Sequence, residues 1–437
     1  MFFGARKKNK DVQTLARTGF MHVFGSNTIN KMITLLSSVV LVRLLTKAEY
    51  GQYSHAQNIY MLFLLLSGMG ISSAVIQVCS ENYDNKFKSM EVFRLGNTFG
   101  TGFNILLSLC ILLFAQIVVF PIENSNTLLI AMSGLPIIIQ ISELQKTYLR
   151  ATLQNKKFSI VNTLDAALIF VFSMVGAFLG QAMGLILVQY ISSFVCIVIS
   201  WWIFKVPIKF GRPQLTRKEV KDVLSISFIT MLNTGLAQLL YLLSVFFVGL
   251  IIPDDSVVAS YKVATTLPQA LNFIPLAFIT YAYPYFARNR NNPSWIRRRY
   301  KQSLMWMGLF GLIIALAGIV AAPVIIRLLF GAQYMDSVLP FRILMLSFAL
   351  GSTFRVLSGN ILVTQRELKF NLIISVVSGV LSIVLNMVFI GLWHSTGAAI
   401  AQLIVVIVTG LCSTIYMFHI LKRNQQKLEN GTCQNNM

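Results

Sequence analysis

The chain has 437 residues, 56% of them hydrophobic and only 12% charged, with a mean hydropathy of +0.70 and a formal net charge of +21. No water-soluble fold of this length needs so much apolar side chain, and the apolar segments run without the alternating polarity of a β-barrel; the class expected is an all-α polytopic membrane protein. The positive charge is spread over alternate loops instead of gathering into one patch, which excludes nucleic acid as a partner.

The N-terminus carries Arg6, Lys7, Lys8 and Lys10 and runs into a mixed segment, so no cleavable signal peptide is expected. The first apolar run, 25–45, holds Lys31 near one end and Arg43 near the other. Asn27, Asn30 or Lys31, Thr34 and Ser38 recur every three to four residues as one polar stripe. A cation at hydrocarbon depth is costly unless it faces protein or a wet cavity, so this helix reads as one stave of a lined cavity. Further runs lie at 54–78, 95–120, 127–148, 158–179, 183–204, 224–252, 257–284, 304–330, 338–362, 370–393 and 397–420, which makes about twelve spans.

Within these runs the ionisable residues are few. Span four carries Glu143, Lys146 and Arg150, and span five carries Asp165. Glu143 stands at helical neighbour spacing from Lys146 and Arg150, and Asp165 lies across a short loop; both ion coupling and structural pairing fit. In span eight Lys262, Thr266, Gln269 and Asn272 or Phe273 follow one face, a second lined stave in the other half. Arg327 closes span nine, and span ten holds Arg342 and Arg355. Arg43, Lys146, Arg150, Arg327 and Arg342 lie within a turn or two of span ends, where snorkelling to headgroups competes with a binding role; Lys31, Lys262 and Arg355 lie deeper and read as functional. Pro136, Pro268 and Pro275 predict kinks.

Loop charge sets the topology. Lys86/Lys88/Arg94, Lys156/Lys157, the cluster from Lys205 to Lys221, Arg288 to Lys301, Arg366/Lys369 and Lys422/Arg423 alternate with short loops that are nearly free of cations, the turn with Lys47 beside Glu49 excepted. Both termini are therefore expected in the cytoplasm of a multi-pass protein. The longest inner loop divides the chain into an N-terminal six-helix bundle (1–204), a connecting loop (205–222) and a C-terminal six-helix bundle with a short tail (223–437). The two would be parallel pseudo-symmetric repeats. TLQNKKF at 152–158 and TQRELKF at 364–370 echo each other between spans four and five of each half. There is no Walker loop, nucleophile elbow or Cys/His cluster at metal spacing, so no catalytic residue, metal or cofactor is expected.

The combination of VRLLTKAEYGQY (42–53), LRATLQNKKF (149–158) and YKVATTLPQALNFIPLAFITYAYPYFAR (261–288) resembles the Wzx-type polysaccharide flippases of the MOP exporter superfamily over essentially the whole chain. The resemblance implies twelve helices in two MATE-like bundles working by alternating access. It implies transfer of an undecaprenyl-type pyrophosphate-linked oligosaccharide across the cell inner membrane, for O-antigen or another surface polysaccharide. A polysaccharide polymerase and a chain-length regulator are the implied protein partners. One departure is that 241–249 is uncharged where members often carry a charge, which puts in doubt a coupling mechanism that relies on it.

The residues agree with an anionic substrate. Lys31, Lys262 and Arg355, with Arg43 and Arg342 towards the outside, suit a pyrophosphate, while Gln57, Asn233, Gln238, Tyr241 and Gln269 suit sugar hydroxyls. Two alternatives stand against this. A multidrug cation antiporter needs an acidic cavity, whereas Glu143 and Asp165 are outnumbered by cations. A membrane glycosyltransferase or polymerase needs a sizeable outer loop around a pair such as Asp254–Asp255, which reads better as a helix cap.

Overall fold

The computed structural model describes residues 20–81, 85–152, 154–289, 292–365 and 367–434. Arg6, Lys7, Lys8, Lys10, Arg290 and Arg366 lie outside the described residues, as do the side chains of Asn233, Tyr241 and Arg288. All regular structure among the described residues is helical. The chain separates into two compact units, Met1–Gly235 and Leu236–Met437.

The first unit holds α1 (Phe20–Leu44), α2 (Lys47–Leu64), α3 (Ile71–Glu81), α4 (Lys86–Ile117), α5 (Ser125–Met132), α6 (Leu135–Ala151), α7 (Asn155–Trp202) and the start of α8 (Arg217–Ile251). The charged turn between α1 and α2 is a capping box: Glu49 N donates to Thr46 Oγ1 at 3.2 Å, and Thr46 N donates to Glu49 Oε2 at 2.9 Å. Helices α2 and α3 are one span broken at Ser67–Gly70, where Gly68, Met69 and Gly70 take φ of 54°, 50° and 73°. Asn104 of α4 fills this break, accepting from Gly68 N at 2.6 Å and donating to Ser67 Oγ at 3.0 Å. Its amide also donates to the Pro136 carbonyl at 2.8 Å, beside the 43° bend between α5 and α6. The connecting segment is docked by Glu91, which accepts from Gln214 N at 2.7 Å and from Arg94 at 3.0 Å.

Helix α7 has 48 residues but leaves helical geometry at Gly180 and Gln181, the latter at φ 50°. There the chain doubles back. A Cβ added at Gly176 would sit 2.5 Å from the Gly184 carbonyl, so glycine on both legs lets the backbones touch. The predicted spans 158–179 and 183–204 are the legs of this hairpin.

The second unit holds the rest of α8, then α9 (Asp255–Leu271), α10 (Phe273–Arg288), α11 (Pro293–Leu329), α12 (Val338–Leu350), a π-helical turn at Gly351–Val356, α13 (Leu357–Thr364) and α14 (Leu368–Gln434). The α9–α10 break follows from Pro275, which has no N–H for the Leu271 carbonyl. Helix α14 repeats the hairpin of α7, turning at Trp393 and His394 with Gly397 against the Phe389 backbone. Along α11 the inner stripe is Gly311, Ala315, Gly318, Ala322 and Ile326, while Leu309, Ile313, Leu316, Val320, Val324 and Leu328 are exposed. Small residues inside and large apolar ones outside is the pattern of a helix that faces lipid.

Among the described residues six helices are long and apolar enough to cross a membrane, or seven if the bent α5–α6 pair is one span. Two of the six, α7 and α14, are the hairpins. The molecule is an all-α, multi-pass membrane protein.

Candidate functional site

In the first unit, the charges of α6 and α7 come together. Lys146 Nζ donates to Glu143 Oε1 at 2.5 Å and to Asp165 Oδ2 at 2.7 Å. The Lys146 and Asp165 side chains are only 8% and 13% exposed, against 51% for Glu143, so the inner half of this triad is the buried pair. Arg150 lies apart, its guanidinium 5.4 Å from the centre of the Phe158 ring. The polar stripe of α1 serves two purposes. Asn30 Nδ2 donates to the Asn162 carbonyl at 3.0 Å, and Asn162 Nδ2 donates to Asn27 Oδ1 at 3.2 Å, which fastens α1 to α7. Thr34 and Ser38 turn their hydroxyls back onto the carbonyls of Asn30 and Thr34. Lys31 and Arg43 are exposed on α1, and Gln57 is half-buried on α2.

In the second unit, a narrow cleft lies between α9, α12, the π turn and α14. Its polar lining is Thr265, Gln269, Asn272, Ser347, Arg355 and Gln402, and its apolar wall includes Pro268, Leu344 and Phe348. Four of these polar groups have a local structural reason to be there. Thr265, Gln269 and Asn272 share a face of α9 by helical spacing, and Pro268 withholds a donor from the same turns. Arg355 arrives on the widened turn between α12 and α13. The lining carries one cation and no carboxylate, so it presents positive charge ringed by amide and hydroxyl hydrogen-bonding groups.

The cleft thus joins two of the predicted site residues, Arg355 and Gln269. It also contains Gln402, which the sequence did not single out; an amide inside the apolar run 397–420 was the available signal. Lys262 is half-buried on α9, about two turns from Gln269 and outside the lining; its carbonyl accepts from Thr265 at 2.8 Å and Thr266 at 2.9 Å. Arg342 is occupied elsewhere, with Nε donating to the Ile319 carbonyl at 3.0 Å. That is the carbonyl four residues before Pro323, which has no N–H to offer it. Asp254 is the N-cap of α9, accepting from Ser256 N at 2.8 Å.

Residues 40–339 match the family described as polysaccharide biosynthesis protein. The chain belongs to that family. The match takes in Gln57, the Lys146 triad, Lys262 and Gln269 and ends before Arg342 and Arg355. In sequence, no curated protein matches this polysaccharide biosynthesis protein. Among solved structures it is similar to the inward-facing conformation of a multidrug resistance MATE family transporter of the MOP superfamily, at TM-score 0.72 and 14% identity over 91% of this chain and 96% of that one. It is similar also to the lipid II flippase MurJ in an inward closed conformation, at TM-score 0.70 and 12% identity over 92% of this chain and 87% of that one. A MOP superfamily transporter from Pyrococcus furiosus Vc1 gives TM-score 0.62 and 15% identity over 94% and 96%. At such identities the likeness shows the fold, and that fold is the one shared by MOP-type transporters and flippases.

Proposed function

We propose that this polysaccharide biosynthesis protein is a flippase, not an enzyme, and that it moves a polyprenyl-pyrophosphate-linked oligosaccharide across the cell inner membrane by alternating access between two six-helix bundles, with both termini in the cytoplasm. The observation that carries the reading is the unit-two cleft. Arg355, the one cation in its lining, stands among Gln269, Asn272 and Gln402, which matches a substrate that is anionic at one point and rich in hydroxyls beside it. An organic cation would want a carboxylate there, and the least exposed carboxylates of the first unit among the described residues are already engaged, Glu91 by Arg94 and the Gln214 N–H and Asp165 by Lys146. Lys262, Lys31, Arg43 and Gln57 serve as further contacts along the substrate's path, whereas Arg342, bound to the Ile319 carbonyl, has a structural role. A polymerase and a chain-length regulator would receive the product.

The test is reconstitution into vesicles with a fluorescent polyprenyl-pyrophosphate-linked sugar and a membrane-impermeant quencher. Wild type should expose lipid from the inner leaflet to the quencher, and Arg355→Ala, Lys262→Ala and Lys31→Ala should each lose that exposure while still expressing. Full transfer by all three variants would refute a cationic substrate path. Efflux of cationic dyes without lipid transfer would move the protein to the multidrug class.

A further inference from the structure

The turn that carries Arg355 needs an explanation of its own. A π-helical turn is wider than an α-helical one and persists only where its surroundings accommodate it. Gly351–Val356 contains no proline to force it. Two glycines on two neighbouring helices make the room. On α11, a Cβ at Gly311 would stand 3.1 Å from Ser352 Oγ, tighter than ordinary contact. On α14, a Cβ at Gly410 would stand 2.9 Å from Phe354 Cβ and 3.3 Å from the Arg355 nitrogen, too close to form without something shifting.

Hydroxyl donors then meet the carbonyls at both ends of the turn. Ser352 and Thr353 donate to the Ala349 carbonyl at 3.0 and 2.8 Å. At the far end Thr414 Oγ1 donates to the Phe354 carbonyl at 3.4 Å. A carbonyl only accepts, so the direction of the hydroxyl chain behind it is set: Tyr300 donates to Ser358 at 2.6 Å, and Ser358 donates to Thr414 at 2.9 Å. All three hydroxyl residues are buried. Gly410 and Thr414 are one turn apart on α14, so one face of that helix supplies both the space beside Arg355 and the donor to the carbonyl just before it.

We propose that Gly410 and Thr414 are positioning residues that hold the π turn in the register presenting Arg355 to the cleft. Drawn into a regular α-helix, the turn would give up one residue of register, and the segments on either side would rotate against each other by about 100°. Arg355 would then leave the lining. The inference rests on the proposed role of Arg355 as the phosphate ligand.

The test is binding of farnesyl pyrophosphate to the purified full-length protein. Arg355→Ala should weaken binding about tenfold or more, the effect of losing a charged hydrogen-bonding partner. Thr414→Val and Gly410→Ala should each weaken it about three- to tenfold, and Thr414→Ser, which keeps the donor, should restore wild-type binding. In the Arg355→Ala background Thr414→Val should add nothing, because its effect acts through that arginine. Unchanged binding by Arg355→Ala would overturn the site reading itself. Weakening by Arg355→Ala with Thr414→Val either silent or additive would overturn only the positioning role. If Gly410→Ala does not express, the Thr414 pair decides alone.

Discussion

Arg342 offers a prediction that separates a structural cation from a substrate ligand. Its Nε donates at 3.0 Å to the Ile319 carbonyl, which Pro323 leaves without a helical donor. Removing the guanidinium by Arg342→Ala therefore loses a charge-assisted hydrogen bond and leaves a backbone acceptor unmet, a cost of about 1–3 kcal/mol. For a unit of this size that is a fall of about 2–12 °C in unfolding temperature. Pro323→Ala supplies the missing N–H from within α11. In that background the acceptor is satisfied without Arg342, and the cost of Arg342→Ala should shrink below about 1 kcal/mol. The four proteins of this cycle are compared by thermal unfolding in one detergent. Equal costs of Arg342→Ala in both backgrounds would refute the assignment and return Arg342 to the substrate path.

Three further outcomes follow from the first unit. Lys146→Met should destabilise by about 3–5 kcal/mol because Asp165 stays buried without its partner, Glu143→Gln should cost under about 1 kcal/mol, and adding Asp165→Leu to Lys146→Met should recover most of the loss; thermal unfolding reads all three. Glu219 is hydrogen-bonded by Lys88 and by the Thr216 N–H and hydroxyl, which hold its carboxyl at about 2, below the ordinary 4.5. A depressed folded value stabilises above the unfolded one and is lost on acidification, so wild type should fall towards Glu219→Gln in unfolding temperature as pH drops from 4.5 to 2, and parallel curves would rule this out. Gly184→Ala should abolish stable expression, since its Cβ would strike the Gly176 carbonyl, whereas Gly180→Ala at the hairpin tip, with nothing within 4 Å and φ −147°, should be silent; fluorescence-detected size exclusion distinguishes them.

The spans were legible because hydropathy and loop charge are long-range averages that survive local irregularity. Gln269, Asn272 and Arg355 stood out for a related reason, since a polar side chain in an apolar run is conspicuous, whereas Lys262 and Thr266, read on the same stripe, lie outside the cleft lining. Apart from the pairing of Asp165 with span four, what escaped was what depends on a partner in another helix. The break at Ser67–Gly70 has glycines but is completed by Asn104, 36 residues from Gly68. The π turn has no local signature, because the glycines that permit it are on α11 and α14. Gln402 was visible as an amide in an apolar run, but nothing along that run shows that α9 and α12 close around it. Arg342 read as either a snorkelling or a substrate-binding cation because nothing near it in sequence points to Pro323.

Asn104 has a mechanical consequence. One amide bonds to two separate interruptions, Ser67 and Gly68 in the second span and the Pro136 carbonyl in the fourth. Two discontinuities that would otherwise flex independently are riveted at a single point. Bending at either one must drag the other or break a buried hydrogen bond, so the first unit has one degree of freedom there instead of two.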